Sequence, residues 1–288
     1  MSISSAGTLY VVGTPIGNLE DISYRAIQIL KTVDTIAAED TRYTGRLLHH
    51  FQIETPQISY HQHNVRQRTP ELLHQLQSGR DVAIVTDAGM PGISDPGQDL
   101  VAACVAAQIV VVPIPGPVAA IAGLVASGLG TNRFCFEGFL PAKGKERRDR
   151  LADIAAEPRT VVLYESPHRL IKTIEAIAEC CHGDRVIVIA RELTKRFETF
   201  WRGSLSDAIA FVQTSNPRGE YTLILAGAAP DKTSTVDDAT LLALLQEKIA
   251  AGMSPSQASR VLAQDHGVSR RGVYQLSLQL HDSSDITP

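Results

Sequence analysis

The stretch VAIVTDAGMPGISDPG, residues 82–97, carries the strongest indication of the fold. Its first four residues form an apolar run without polar alternation, which is typical of a strand buried on both faces of a parallel sheet. After Thr86, the eleven residues 87–97 hold three glycines, two prolines and two aspartates. A structural turn rarely needs so many special residues. Because open α/β sheets bind ligands at the carboxyl ends of their strands, this loop is predicted to bind a ligand.

The same pattern surrounds this stretch in the first half of the chain. Apolar runs at 9–13, 35–38 and 109–114 also end in polar or glycine- and proline-rich segments, and helical periodicity separates them. Strands that alternate with helices in this way predict a mostly parallel sheet covered on both faces. The corresponding loops, all expected at one edge of the sheet, are 13–17, 39–42, 87–91 and 115–117.

The second half of the chain follows a different pattern. Its last three strand-like segments lie close together and leave room for only one helix, near 205–213, which argues for a mixed sheet. The predicted fold class is therefore two α/β domains, with a mostly parallel sheet in the first and a mixed sheet in the second, followed by a helical tail. The expected domain bounds are 1–120, 121–232 and 233–288. The expected strands of the second domain are 133–140, 160–165, 185–193, 198–205 and 220–226.

The tail contains two helix starts. Ser254 and Gln257 have the spacing of a capping box, and Ser269 is placed to cap a further helix. The two short helices around 266–268 resemble a helix-turn-helix, or they form a small helical subdomain that packs on itself. The segment 254–288 has three Arg and three Asp, and this zero net charge counts against a DNA-reading role.

Composition excludes several classes of protein. The 288 residues carry a formal net charge of −4, which excludes a protein that grips nucleic acid with its whole surface. The four cysteines lack zinc-ligand spacing, so neither a metal site nor a disulfide framework is expected, and a reducing cytoplasm is the simple interpretation. The uncharged stretch 100–132 is long enough to span a membrane, but Pro113, Pro115 and Pro117 interrupt it, so we expect no membrane insertion.

One local basic run stands out against this acidic balance. Residues 143–150 contain five basic and two acidic side chains, for a net charge of +3. A flexible arm at the domain junction that contacts RNA is one interpretation, and Arg169 would extend that surface. A solvated helix face is the usual explanation of such a run.

Three short segments carry candidate chemistry. Glu39 and Asp40 end the second strand beside Arg42, so a carboxylate there would accept a hydroxyl proton while Arg42 holds a phosphate. The alternative is that Asp40 caps a helix and pairs with Arg42. His61 and His63 have strand spacing that would point both rings the same way, for RNA contact or base chemistry.

Arg191 and Lys195, near another strand end, suit an RNA phosphate or a substrate carboxylate. A structural ion pair within the segment is the alternative.

Eight motifs in order give a resemblance that none of them gives alone. The motifs are TPIGN (14–18), AAEDTR (37–42), TDAGMP (86–91), PGPVAA (115–120), EGFLPAK (137–143), YESPHR (164–169), ARELTK (190–195) and GEYTLIL (219–225). Together they resemble the tetrapyrrole methylase superfamily and, within it, the bacterial methyltransferases that act on a cytidine ribose of small-subunit ribosomal RNA. A departure from the family pattern is Met90, where a threonine is usual.

The resemblance implies S-adenosylmethionine in the cleft between two α/β domains, a homodimer, and methyl transfer to a ribose 2′-hydroxyl in the decoding region. No metal is needed. The substrate is expected to be small-subunit ribosomal RNA or the assembled small subunit, in the cytoplasm. The implied cofactor contacts are Gly13, Pro15, Asp87, Ala88, Gly89, Pro91, Ala119, Ala120, Tyr164, Glu165 and Ser166.

Catalytic and RNA-binding roles are assigned on the same basis. The catalytic candidates are Asp40, Glu39 and His63. The RNA-binding candidates are Arg42, His61, Lys143, Lys145, Arg147, Arg148, Arg169, Arg191 and Lys195.

Three other functions compete with RNA methylation. The same fold acting on a small molecule such as a tetrapyrrole is the first, and it has no need of a basic run or a helical tail. A ribosome-binding protein with a vestigial cleft is the second, and the intact loops argue against it. A helix-turn-helix regulator is the third, and the uncharged tail counts against it.

Overall fold

The computed structural model describes residues 6–181, 183–229, 237–266 and 270–282. Contacts between Cα atoms separate two compact units, Met1–Ala228 and Ala229–Pro288, and each is described by itself. The finer division of the chain at residues 120 and 232 stays a prediction.

The first sheet is entirely parallel, as the apolar runs predict. Its five strands have the order β3-β2-β4-β1-β5, and every neighbouring pair is parallel. Its strands are β1 (Leu9–Val12), β2 (Thr35–Ala38), β3 (Gln57–Ser59), β4 (Val82–Val85) and β5 (Val111–Ile114).

Helices cover both faces of this sheet. On one face Leu72, Leu76 and Leu100 pack against β1 and β4, and on the other Leu30 and Leu48 pack against β2. This explains why every residue of β4 is apolar and buried, as are most residues of β1 and β2. The helices are α1 (Tyr24–Thr32), α2 (Thr41–His50), α3 (Val65–Gln77) and α4 (Gln98–Ala106), with a short 3₁₀ helix at Leu19–Asp21.

The second sheet is mixed. Its strand order is β6-β7-β10-β8-β9, in which β6 and β7 are parallel and the other pairs are antiparallel. A single helix lies between β9 and β10, so the predicted arrangement of the last three strands is confirmed. The strands are β6 (Phe134–Phe139), β7 (Thr160–Glu165), β8 (Val186–Arg191), β9 (Thr199–Ser204) and β10 (Tyr221–Leu225).

The helix α5 (Ala119–Ser127) connects the two sheets. It follows β5 of the first sheet, yet Ala120 and Leu124 pack against Val162 and Ile224 of the second. The other face of the second sheet is covered by α6 (Lys145–Ala156), α7 (Leu170–Cys180) and α8 (Leu205–Thr214). The loops at the carboxyl edge of the first sheet therefore lie beside the second sheet.

The basic run at 143–150 is not a flexible arm. Most of it forms the first turns of α6, which buries Leu151 and Ile154 against the second sheet. Because Leu151 and Ile154 pack α6 against the sheet, the basic residues on the same helix have fixed positions. The alternative interpretation, a helix face, is the one that the structure gives.

The second compact unit contains the helices α9 (Asp238–Ala250), α10 (Pro255–His266) and α11 (Arg270–Asp282). Leu241, Leu245, Leu262 and Val273 form its core. The capping box is confirmed, since Ser254 Oγ accepts a hydrogen bond from Gln257 N at 3.3 Å and Gln257 Oε1 accepts one from Ser254 N at 3.1 Å.

The predicted cap at Ser269 lies outside the described residues. Across the helices that the structure describes, none combines the length and the hydropathy that crossing a membrane requires.

Two glycines hold the loops after β1 and β5 in direct contact. A Cβ added at Gly116 would lie 2.7 Å from the Cα of Gly13, and one added at Gly13 would lie 2.6 Å from the Cα of Gly116. Both distances are well below van der Waals contact, and the opposing atoms are backbone. The two loops therefore keep their separation only because neither residue has a side chain.

We predict that Gly116→Ala destabilises the protein by about 1–3 kcal/mol, the usual cost of forcing extra atoms into a packed site. Chemical unfolding of both proteins measures this difference. Gly45→Ala is the matched control, because a Cβ there meets only the side-chain amide of Gln57 at 3.5 Å. A helical glycine replaced by alanine is expected to stabilise. Equal stability of Gly116→Ala and the wild type would contradict the close contact.

Candidate active site

Three loops meet at the carboxyl edge of the first sheet and are bonded to each other. Thr14 and Gly89 form an isolated antiparallel bridge, with N–H···O distances of 2.9 and 3.1 Å. Thr14 Oγ1 also donates to the carbonyl of Thr86 at 3.0 Å. Gly89 has a φ of +85°, a conformation that favours glycine. With the contact between Gly13 and Gly116, these bonds make the loops one rigid cradle.

A cleft of about 430 Å³ lies between this cradle and the second sheet. This volume is in the range of small-molecule and cofactor sites. The structure brings together at this cleft seven of the eleven predicted cofactor contacts. They are Asp87, Ala88, Gly89, Ala119, Tyr164, Glu165 and Ser166.

The other four predicted contacts lie behind the cleft wall or beside it. Gly13 lies against Gly116, and Pro91 is buried. Ala120 faces the second sheet, and its N–H donates to the hydroxyl of Tyr164 at 3.0 Å. Pro15 lines a separate cavity. Gly13 and Ala120 therefore shape the cleft from behind.

The cleft combines an apolar wall with several carboxylates. Ile16, Val118 and Phe139 contribute apolar surface, and the ring of Tyr164 packs against Phe139 with the ring centroids 5.6 Å apart. The acidic residues that line it are Glu39, Asp87, Asp95, Glu165 and Glu220, of which Glu165 accepts hydrogen bonds from the Ser166 N–H and the Thr173 hydroxyl, each at 2.7 Å. Such a site suits a ligand that has both a flat apolar part and positive charge.

Asp95 and Glu220 are lining residues that sequence reasoning did not single out. Asp95 lies in the quoted loop 82–97, so its position after a strand was the available signal. Glu220 comes to the cleft from the edge of β10, which only the tertiary structure shows. Burial, reinforced by the charges of Glu39, Asp87 and Glu220, raises the pKa of Asp95 to about 7.

Glu39 and Asp40 are neighbours in sequence but differ in environment. Glu39 lines the cleft, and its carboxylate accepts a hydrogen bond from the N–H of Asp87 at 3.3 Å. Burial raises the pKa of Glu39. The hydrogen bonds from Arg42 instead hold the pKa of Asp40 well below its usual range.

Asp40 both caps α2 and pairs with Arg42. Its Oδ1 accepts hydrogen bonds from the backbone N–H of Arg42 at 2.8 Å and from Arg42 Nε at 3.0 Å, and its Oδ2 lies 2.6 Å from Arg42 Nη2. This is the helix-cap arrangement that the sequence left open. A carboxylate engaged in this way is a weak proton acceptor, so Glu39 is chemically the better candidate of the two.

The two histidines are not on a strand, so that prediction is wrong. His61 and His63 lie in the turn between β3 and α3, with ring centroids 5.9 Å apart. His61 is half-buried, and its Nε2 lies 3.3 Å from the amide nitrogen of Asn64, whereas His63 is exposed. Within the described ranges, no three His, Cys, Asp or Glu residues are grouped so that they could hold a metal ion.

Several predicted RNA contacts are engaged within the protein. Arg147 donates to the Pro141 carbonyl at 2.9 Å, and Arg169 donates to the Leu140 carbonyl at 2.5 Å. Lys195 pairs with Glu192 at 3.0 Å and with Glu220 at 2.8 Å, which is the structural ion pair that the sequence left open.

Arg191 donates to the Arg218 carbonyl at 2.8 Å. In contrast, the side chains of Lys143, Lys145 and Arg148 are exposed at the start of α6. Among the predicted contacts in and around the basic run, these three are the best placed to meet a phosphate backbone.

Comparison with protein families gives two matches along the chain. Residues 8–209 match the family model of the Tetrapyrrole (Corrin/Porphyrin) Methylases. Residues 235–281 match the RsmI C-terminal HTH domain, in agreement with the helix-turn-helix resemblance of the tail.

Curated relatives match the chain over nearly its whole length. A protein from Synechocystis sp. is 54% identical over 274 residues, which are 95% of this chain and 98% of that protein. A protein from Escherichia coli O157:H7 is 47% identical over 279 residues, which are 96% of each. Both bear the name Ribosomal RNA small subunit methyltransferase I.

Solved structures share the fold at low sequence identity. The methyltransferase CobJ superposes with a TM-score of 0.59 at 21% identity, covering 78% of this chain and 95% of that one. The uroporphyrin-III C-methyltransferase from Thermus thermophilus, in complex with S-adenosyl homocysteine, gives a TM-score of 0.56 at 17% identity, covering 76% and 97%. The predicted fold class is confirmed.

We predict that Asp95→Asn stabilises the protein above pH 7 but not below pH 4. The pKa of Asp95 is about 7 in the folded chain, against roughly 3.9 in an unfolded chain. The folded state therefore binds the proton of Asp95 more tightly than the unfolded state does. The stabilisation that comes from this proton is complete below about pH 4 and is lost as the pH rises through 7. At pH 8 the variant should gain about 1–2 kcal/mol, less than the full shift implies because the carboxyl is partly solvated.

Urea unfolding at pH 4, 6 and 8 checks this prediction. Asp149→Asn, an exposed carboxylate on α6, is the control for loss of a surface charge. A stability difference between Asp95→Asn and the wild type that does not change from pH 4 to pH 8 would show that Asp95 is not desolvated.

Proposed function

This chain belongs to the tetrapyrrole (corrin/porphyrin) methylase family, and from that premise we propose that it methylates small-subunit ribosomal RNA with S-adenosylmethionine as the methyl donor. The observation that carries the proposal is the cleft, in which three bonded loops and the second sheet enclose an apolar wall and five carboxyl groups. The acceptor is proposed from relatives that match this chain over nearly its whole length and are named for that RNA.

The residues of the cleft fit S-adenosylmethionine. The apolar wall formed by Ile16, Val118 and Ala119 suits a flat heterocycle, and the carboxylates suit the ammonium and sulfonium charges. Gly89 lets the backbone approach a ligand closely. When bound, the cofactor supplies an electrophilic methyl group on a positively charged sulfur.

The acidic lining favours the cofactor over its less positively charged product. Glu39, Asp87, Asp95 and Glu220 attract a cation in a partly desolvated site, where charge interactions are stronger than in water. After transfer the sulfur is neutral and the ammonium is the remaining positive charge, so the same carboxylates attract the product less strongly. They therefore help the protein to bind the donor and to release what remains after transfer.

We assign the proton acceptor to Glu39 in preference to Asp40 and His63. A ribose hydroxyl is a poor nucleophile while it holds its proton, so a base that takes the proton assists the transfer. Glu39 lies at the cleft with a raised pKa, whereas Asp40 is held by Arg42 and His63 is on an exposed turn. The cradle would hold the hydroxyl in line with the methyl group.

The finer details of the reaction are also proposals. We propose a cytidine 2′-hydroxyl in the decoding region as the acceptor, in free RNA or in the assembled subunit, on the strength of the motif resemblance. The exposed side chains of Lys143, Lys145 and Arg148, together with Arg42, support contact with a phosphate backbone. A cytoplasmic location of the protein is proposed as well, and its four free cysteines support it.

A homodimer is proposed from the same resemblance. The apolar side chains of Ile121 and Val125 on α5 are 44% and 68% exposed, and a second copy of the chain would cover such a surface.

Transfer of a labelled methyl group tests the proposal. The protein is incubated with methyl-labelled S-adenosylmethionine and small ribosomal subunits that lack the modification. We expect label in the RNA, at a single linkage that resists alkaline cleavage because the 2′-hydroxyl is blocked. Label in a nucleobase, or binding of the cofactor with no label in RNA, would contradict the proposal and favour a small-molecule acceptor.

The same assay distinguishes the two candidate bases. Glu39→Gln should lower the rate of transfer by about a hundredfold or more, the usual contribution of a general base. Asp40→Asn should have a smaller effect, since that carboxylate serves the helix cap. A larger loss for Asp40→Asn than for Glu39→Gln would overturn the assignment.

A further inference from the structure

A second cavity lies beside the cleft, on the other side of Asp87. Its volume is about 210 Å³, half that of the cleft, and Asp87 lines both. It lies between the loop after β1 and the helix α2. The residues that line it are Thr14, Pro15, Gly17, Leu19, Tyr43, Thr44, Arg46, Leu47, Thr86 and Asp87.

Two hydroxyls in this cavity have no hydrogen-bond partner. Thr44 and Thr86 are 2% and 1% exposed, and the Oγ1 atoms of both are buried without a partner among the described residues. Elsewhere in this chain Thr32 and Thr214 donate to a carbonyl one turn back in their helices, which Thr44 does not. Because a buried unpaired hydroxyl destabilises a protein, two that line one cavity indicate a polar ligand.

The walls and mouth of the cavity define the shape of that ligand. Pro15, Leu19 and Leu47 give it apolar sides. The ring of Tyr43 is 49% exposed, and Arg46 is exposed beside it. A flat group with a polar edge and an attached anion matches this arrangement, since aromatic rings stack on bases and guanidinium groups bind phosphates.

The cavity lies where the geometry of a nucleotide would place the base. The 2′-hydroxyl and the base are carried on adjacent carbons of the ribose. A hydroxyl presented to the cleft therefore brings its own base within a few ångströms, on one side of the reacting centre. The cavity adjoins the cleft in this way, because Asp87 lines both.

We propose that this cavity binds the base of the acceptor nucleotide, unstacked from the RNA. The hydroxyls of Thr44 and Thr86, buried in the cavity wall, turn about χ1 to bond the polar edge of the base. Tyr43 packs on the face of the base, and Arg46 meets the adjoining phosphate. This inference rests on the proposed function as an RNA methyltransferase. A hydroxyl both donates and accepts, so the two threonines hold a base in place without reading which base it is.

The double variant Thr44→Val, Thr86→Val tests the inference. Valine keeps the shape of threonine, and no hydrogen bond within the protein is lost, so stability should be unchanged or higher. We expect the efficiency of methyl transfer to small subunits to fall about tenfold or more, because the base loses its partners. The affinity for S-adenosylmethionine, measured by calorimetry, should not change.

Two further variants separate this effect from a general disturbance. Thr44→Ser with Thr86→Ser retains both hydroxyls and should recover most of the transfer efficiency. Thr160→Val removes a buried hydroxyl that donates to the Gly130 carbonyl at 2.7 Å on the second sheet. It should lower stability but leave transfer efficiency at the wild-type level.

A substrate lacking the base completes the test. Small subunits are assembled on RNA with an abasic ribose at the residue that the wild-type protein methylates. The wild type should lose about the same factor on this substrate as the double valine variant loses on normal subunits, and the variant should lose no more. Additive losses, full efficiency of the variant, or a weakened affinity for S-adenosylmethionine would each overturn the inference. If the wild type labels no RNA at all, the proposed function itself fails, and the inference falls with it.

Discussion

The contact between the backbones of Gly13 and Gly116 is the constraint from which the geometry of the cleft follows. It sets the separation of the loops after β1 and β5, and the first of these carries Thr14, which is bonded to Gly89 of the third loop. The chain then passes from Gly116 directly into α5, which packs on the second sheet. The width of the cleft between the two sheets is thus fixed by two residues that have no side chain.

The hydrogen bond from Ala120 to Tyr164 completes this arrangement. It joins the first turn of α5 to β7, so the wall that Tyr164 forms moves with the loop that carries Gly116. Removal of this hydroxyl would leave the N–H of the buried Ala120 without an acceptor, a loss of about 1–3 kcal/mol. The contact between Gly13 and Gly116 and the hydrogen bond between Ala120 and Tyr164 therefore join two sheets with separate cores into one rigid site.

Electrostatics distinguishes the inner surface of the cleft from the surface around it. Carboxyl groups from four separate segments line the cleft, and burial together with the charges of Glu39, Asp87 and Glu220 raises the pKa of Asp95 to about 7. Such repulsion costs stability unless a cation is bound. In contrast, the side chains of Lys143, Lys145 and Arg148 at the start of α6 are exposed and lie outside the cleft.

Local sequence patterns predicted β1, β2, β4 and β5 because burial on two faces leaves an apolar run at each of these strands, whereas the mixed second sheet was predicted from the close spacing of its last three strands. The loops of the cleft were predicted for a related reason, since glycine and proline are required where backbones meet, as at Gly89 and Gly116. The roles of individual charged residues were less predictable. Arg169 and Lys195 are residue types that suit an RNA surface. In the fold, however, Arg169 donates to the Leu140 carbonyl, and Lys195 pairs with Glu192 and Glu220. Glu220 was not predicted as a cleft residue for the same reason, since only the fold brings it to the cleft.

Hydrogen–deuterium exchange of the protein with and without S-adenosylmethionine tests whether the cradle is the cofactor site. The cofactor should slow exchange in the segments 13–17, 87–97, 115–120 and 164–167 together, since these loops are bonded to one another. The amides of α9–α11 should exchange at the same rate in both states. Protection confined to one of these loops, or protection only elsewhere in the chain, would contradict a single site formed by the joined loops.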